Sequence, residues 1–193
     1  MMSSPRKVKP SRLGDVSSTD LSKRLIVGNL LLSRDGRAVK EGSSKALSFP
    51  ADRRRFHQLR SQADLILIGG NTARNEPYRT TPVPLIVLSR SAHEPSVASN
   101  HHASVLNSSL TQALSQIDPE FRSILIEAGP SLIKEALETK LVETFYLTIS
   151  NAEGDQDAPS YDVSSALGAY RLIAEEPVDG GTFFTYSLAP TSE

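Results

Sequence analysis

From residue 24 onward the chain alternates between short apolar runs, broken by Gly, Pro, Asn and Asp, and segments whose apolar residues recur at helical spacing. RLIVGNLLL (residues 24–32) predicts a first strand, and SRDGRAV predicts a turn leading into a short extended piece. In FPADRRRFHQLRSQA (49–63), Pro50 and Asp52 mark a helix start, and Phe56, Leu59 and Ala63 form an apolar stripe. That helix puts Arg53 and Arg60 on one side, two turns apart. DLILI (64–68) reads as a buried strand that ends in a turn of Gly69, Gly70, Asn71 and Thr72. PLIVLSR (84–90) predicts the next strand, and SSLTQALSQI (108–117) a helix with Leu110, Ala113, Leu114 and Ile117 on one face. SILIEA (123–128) predicts a strand running straight into GPSLIKEALE (129–138), where Pro130 suits the first helical position and Leu132, Ile133, Ala136 and Leu137 supply the inner face. TFYLTIS (144–150) is a further strand, NAEGDQDAP (151–159) an acidic surface loop, and YRLIAEEPV and TFFTYSLAP are two strands joined by a tight turn at Asp179, Gly180 and Gly181.

The alternation defines an α/β fold: a mostly parallel sheet flanked by helices, closed by a C-terminal antiparallel hairpin. A length of 193 residues with 38% hydrophobic content suits one domain, placed at 23–190 after a disordered basic tail at 1–22. A formal net charge of -1 gives no global reason to expect nucleic acid or an acidic membrane as partner, so any phosphate site must be local. There is no cysteine, which excludes disulfides, thiolate zinc sites and cysteine nucleophiles. Apolar runs such as LILI are far shorter than the roughly 20 residues that cross a bilayer. A cytoplasmic location is expected. Organelle targeting stays open as the weaker alternative, because Asp15 and Asp20 interrupt a leader that should be poor in acids.

Ligands of open α/β sheets bind beyond the carboxyl ends of the strands. GGNT after DLILI and AGPS after ILIE both supply small residues there, where backbone N–H groups can approach phosphate. No GxGxxG follows the first strand and no Walker loop is present, so a nicotinamide cofactor must bind by another scheme and nucleotide hydrolysis is not expected. Arg90 either meets a 2′-phosphate or stays solvated, and Arg60 either binds a substrate phosphate or lies on a wet helix face. Glu127 ends an apolar strand, where its carboxylate faces either the ligand crevice or an internal arginine. His101 and His102 lack partners at metal-ligand spacing, and Glu153, Asp155 and Asp157 do not follow the calcium-loop pattern, so no metal site is expected.

Taken in order, SRDG (33–36), GSSKALSFPADRRRFHQLR (42–60), ADLILIGGNTARNEPY (63–78), PLIVLSRS and ILIEAGPSLIKEALETKLVETFYLTIS resemble the successive blocks of riboflavin-biosynthesis pyrimidine reductases. The resemblance implies a dihydrofolate-reductase-like fold, a homodimer, and NADPH-dependent reduction of a phosphorylated ribosylaminopyrimidine to its ribitylamino form. It implies cofactor contacts from Thr72, from Asn75 or Glu76, from Ser89 with Arg90 at the adenosine phosphate, and from Gly129, Pro130, Ser131 and Leu132. It implies substrate contacts from Ser44, Arg60, Arg79 and Glu127, with Glu127 and Asp35 as catalytic candidates, Asp35 shaping the site near the nicotinamide. The chain departs from the pattern in its NAEGDQDAP loop, which stands where the family has a Gly-Gly turn, and in Leu31 and Leu32 before SRDG. It also lacks the HxE motif and the cysteines of the zinc deaminase domain found in larger members. Two other functions fit the same residues: a reductase of a pterin or other heterocycle, and a degenerate nucleotide-binding or oligomerisation protein without catalysis.

Overall fold

The computed structural model describes residues 24–90 and 97–190. The basic tail expected at 1–22 lies outside the described residues. Eight strands form one sheet in the order β4-β3-β2-β5-β1-β6-β8-β7, where β1 is Leu25–Ser33, β2 Leu65–Gly69, β3 Leu85–Leu88, β4 Ala103–Leu106, β5 Ser123–Glu127, β6 Thr144–Ser150, β7 Tyr170–Val178 and β8 Gly181–Leu188. The strands from β4 to β6 run parallel, and β8 and β7 pair antiparallel at one edge, as the βα alternation and the terminal hairpin predict. The helices are α1 (Pro50–Ser61), α2 (Gly70–Asn75), α3 (Leu110–Gln116) and α4 (Pro130–Glu138).

Burial explains which runs become which strands. β2, β3 and β5 are covered on both faces, so their centres are continuous Leu, Ile and Val, and β2 and β3 contain no position that alternates to water before Gly69. β1 instead divides its residues. Ile26, Leu30 and Leu32 join the core that packs under α3 and α4, whereas Val27 lies on the opposite face with Leu59 of α1, Ile66, Ile68 and Leu125. Asn29 and Leu31 share that second face by the two-residue period of the strand.

Three local expectations change. GGNT is not a turn: α2 begins at Gly70 immediately after β2, with Gly69 as its N-cap. β4 was not anticipated, since the Asn- and Ser-rich stretch around His101 and His102 masks a four-residue strand at the sheet edge whose Val105 is largely exposed. The acids of the 151–159 loop are not merely solvated. The Asp155 carboxylate accepts from the N–H groups of Glu41 and Gly42, and Glu153 pairs with Arg34.

Arg24 closes the lower end of the fold. Its Nη1 donates to the Leu114 carbonyl at 2.6 Å and its Nη2 to the Ile117 carbonyl at 2.7 Å, so a buried guanidinium satisfies carbonyls that the end of α3 leaves open. Arg24→Met keeps the aliphatic bulk and removes those donors. The expected loss is about 2 kcal/mol of unfolding free energy, read as a lower denaturant midpoint at unchanged slope. An unchanged midpoint would show that water replaces the guanidinium.

Candidate active site

A cavity of about 770 Å³ opens beyond the carboxyl ends of β2, β3 and β5, within the size range of small-molecule sites. Two halves meet in it. One is built from α2, the β3 end and the start of α4, and the other from α1, the β5 end and β1.

The second half is organised by Arg60, Glu127 and Tyr78. Arg60 Nε donates to both Glu127 carboxylate oxygens at 2.8 and 3.0 Å, and Nη2 donates to Oε2 at 2.6 Å. The Tyr78 hydroxyl donates to the same Oε2 at 3.3 Å. The guanidinium carbon lies 4.1 Å from the Phe56 ring centroid and 5.2 Å from that of Tyr78, so two aromatic rings flank the cation. Glu127 is only 4% exposed, which makes the pairing obligatory. Burial pushes its carboxyl above the ordinary value while Arg60 and Tyr78 pull it back. For Arg60, burial works against the charge and the Glu127 carboxylate outweighs it, so the guanidinium stays protonated. Burial also raises the Tyr78 phenol, with the Glu127 charge adding to it, and the group remains a donor.

In the first half, Thr72 Oγ1 accepts from the Gly129 N–H at 3.0 Å and so ties the start of α2 to the turn before α4. The backbone at Gly70 comes so near β3 that a Cβ there would lie 3.0 Å from Ser89 Oγ, a close contact that the absence of a side chain avoids. Ser89 is buried at the β3 end, and Arg90 stands largely exposed at the rim, 3.6 Å from the Glu135 carboxylate. Glu76 accepts from the Ser44 N–H at 2.7 Å and from the Ser43 hydroxyl, pinning the short 3-10 helix Ser44–Ala46 against the cavity.

Of the expected site residues, Ser44, Arg60, Thr72, Asn75, Glu76, Ser89, Arg90, Glu127, Gly129, Pro130, Ser131 and Leu132 all line this one cavity. Two do not. Arg79 is exposed and outside the lining, next to the buried Tyr78 after the turn at Pro77. Asp35 also lies outside the lining. It binds Ser33, Arg37 and the Gly154 N–H, and so ties the SRDG turn to the 151–159 loop. That loop still reaches the cavity through Ala158 and Pro159, which stand where the altered wall was expected. Leu31 lines the cavity, whereas Leu32 belongs to the core beneath.

Sequence reasoning did not single out Tyr78, Asn29, Lys45 or Ser108, all of which line the cavity. Tyr78 had no periodic signal, and Asn29 was hidden inside an apolar strand. Arg53 was placed on one side of α1 with Arg60, and both do face the cavity. Among the described residues neither Lys45 nor Arg53 has an acidic partner, in contrast to Arg60.

With this geometry established, likeness to solved structures identifies the fold. A diaminohydroxyphosphoribosylaminopyrimidine deaminase/5-amino-6-(5-phosphoribosylamino)uracil reductase of Thermotoga maritima superposes with a TM-score of 0.66 at 15% identity, covering 87% of this chain and 57% of that one. The riboflavin biosynthesis reductase of Saccharomyces cerevisiae gives 0.58 at 16% identity, covering 91% and 93%. Dihydrofolate reductase from Enterococcus faecalis, complexed with NADP(H), gives 0.63 at 15% identity, covering 86% and 97%. The fold is therefore the dihydrofolate-reductase-like α/β fold, and the chain spans little more than half the length of the Thermotoga protein. Residues 24–152 match the model of the RibD C-terminal domain, and the chain belongs to that family. No curated protein matches it by sequence. Among the described residues no helix is long and apolar enough to cross a membrane.

The Asp35 latch has a pH signature. The Ser33 hydroxyl and the Gly154 N–H, with Arg37 beside them, hold its carboxyl down at about 2. A depressed folded-state pKa contributes stability that is present above the unfolded value, roughly 3.9, and is lost as pH falls through the folded one. Between pH 5 and pH 2 the wild-type melting temperature should therefore fall more steeply than that of Asp35→Asn, which has no charge to lose. Parallel acid slopes for the two proteins would show that the latch adds nothing to stability.

Proposed function

We propose that this chain is an NADPH-dependent reductase that converts a phosphorylated ribosylaminopyrimidine, 5-amino-6-(5-phosphoribosylamino)uracil or its diamino precursor, to the ribitylamino product in riboflavin biosynthesis. The observation that carries the reading is a two-ended cavity, with a helix start at one end and the Arg60–Glu127–Tyr78 cluster at the other, in a member of the RibD C-terminal domain family.

The residues present fit a dinucleotide in the first half. α4 opens onto the cavity with Pro130 at its first position, so its free N–H groups and the Ser131 hydroxyl can meet a phosphate. Ser108 Oγ is buried there with no hydrogen-bond partner among the described residues, an orphaned polar atom that a bound nucleotide would satisfy. Ser89 and Arg90 at the β3 end are the candidates for the adenosine phosphate, and Thr72, Asn75 and Leu132 complete that wall. Bound there, NADPH would supply hydride to C1′ of the imine formed when the ribosylamine opens, with a proton taken up at the nitrogen.

What the chain itself contributes is position and electrostatics. Phe56 and Tyr78 hold Arg60 in place, while Lys45 and Arg53 offer cations without an acidic partner for the substrate phosphate. Lys45 and Arg53 join Arg60 and Arg79 as candidates for the phosphate clamp, and the Nη1 group of Arg60 makes no bond to Glu127. Glu127 holds Arg60 in place, and Ser44 stands at the substrate end. A homodimer is expected from the family resemblance.

Consumption of NADPH, followed as the loss of nicotinamide absorbance, should require the phosphoribosylaminopyrimidine and should not occur with dihydrofolate. Turnover of dihydrofolate alone would overturn the reading. NADPH should also be preferred over NADH, and Arg90→Ala should raise the Michaelis constant for NADPH several-fold with little change for NADH, as expected for an exposed charge-assisted contact. Equal Michaelis constants for the two cofactors in the unmodified protein would remove Arg90 from the cofactor site.

A further inference from the structure

The floor of the substrate half contains a group that neither the cavity's cations nor its ion pair explains. Asn29 sits on β1, in register with Glu127 of β5 on one side and Tyr146 of β6 on the other. The two-residue period puts it on the face covered by α1, and it lines the cavity half-buried. Among the described residues nothing hydrogen-bonds its side chain. A carboxamide at that place is unusual chemistry for an otherwise aliphatic strand. Each of its neighbours in β1, Gly28 and Leu30, is buried against the opposite core.

Its neighbour's state decides what it can recognise. The Glu127 carboxylate accepts two nitrogens of Arg60 and the Tyr78 hydroxyl, so its charge is already neutralised. A cationic heterocycle, such as a diaminopyrimidine protonated on the ring, would find beside Arg60 no free carboxylate and would add a second positive charge to a buried one. A neutral lactam edge, one ring N–H next to one carbonyl, matches the acceptor and donor of a carboxamide in a two-point contact. Phe56 and Tyr78 line the same half, with the Arg60 guanidinium over both rings.

We infer that Asn29 is a specificity-determining residue that reads the lactam edge of a neutral heterocycle, and that with the Arg60–Glu127 pair it excludes cationic diaminopyrimidines. The inference rests on the proposed pyrimidine reduction and names the form of the ring that the site accepts. Both substrate forms left open above carry that edge, so Asn29 selects the ring class and not the substituent at the neighbouring carbon.

The test is titration calorimetry of the full chain with three ligands, 5-amino-6-(D-ribitylamino)uracil 5′-phosphate, 2,4-diaminopyrimidine at pH 6, and NADPH, on wild type, Asn29→Asp and Asn29→Leu. Asn29→Asp is isosteric and replaces the donor by a charge. The uracil ligand should weaken roughly tenfold or more in both variants, as expected when one half of a two-point contact (Asp) or both halves (Leu) are left unpaired. Diaminopyrimidine should bind measurably tighter to Asn29→Asp alone. NADPH affinity should stay within about twofold throughout, reporting an intact fold and cofactor half. Uracil-ligand affinities within twofold of wild type in both variants overturn the inference while leaving the pyrimidine reduction standing. A wild type that binds NADPH but not the uracil ligand overturns both.

Discussion

A carboxylate that is 4% exposed at the end of an aliphatic strand has to be neutralised, and Arg60 does it. Taking both charges out of water costs several kcal/mol each, which only close, multiply bonded geometry offsets. That requirement fixes this half of the cavity. α1 must cross the sheet at the height where its last turn reaches β5, the Pro77 turn must deliver the Tyr78 hydroxyl to the remaining lone pair, and Phe56 must lie one turn before Arg60 to cover the cation. Replacing a buried ion pair by apolar residues of similar volume is often neutral or stabilising. The pair is therefore better understood as organisation of a site than as a source of stability.

The other half follows from close backbone approach. Glycine at position 70 lets α2 start directly against Ser89, and the Thr72 hydroxyl then holds the Gly129 turn, so the loops after β2, β3 and β5 become one wall. The connections after β2 and β5 are short, and all three begin at the carboxyl end of a parallel strand whose residues are mostly buried. The rigidity of those strands positions the wall. The 151–159 loop contributes the far side through Ala158 and Pro159, and it is held by side chains that were expected inside the site, Asp35 above all.

Most of the fold was legible because its strongest signals are periodic. The aliphatic runs of β2, β3 and β5 and the helical stripe of α4 have one solution each in an α/β sheet. β4 was not legible, since four residues of mixed polarity at an edge carry no period. The site was readable where small residues follow strands, as at Thr72 and Gly129, or where a charge ends an apolar run, as at Glu127. It was not readable where direction decides. Tyr78 and Arg79 are adjacent in the chain, and only the turn geometry shows which one enters the cavity. Glu127 was left between a ligand crevice and an internal arginine, and the structure places it at both, because the arginine is itself in the cavity wall.

The most direct test compares Arg60→Met, Glu127→Leu and the double variant for both unfolding free energy and NADPH-dependent turnover of the phosphoribosylaminopyrimidine. Each single change leaves one buried charge unpaired and should cost about 3 to 5 kcal/mol. The double variant should regain most of that stability, since the unpaired charge is gone, and yet show no turnover. A double variant that is stable and still reduces the substrate at the wild-type rate would contradict the account, because the pair would then be only a filler of the core.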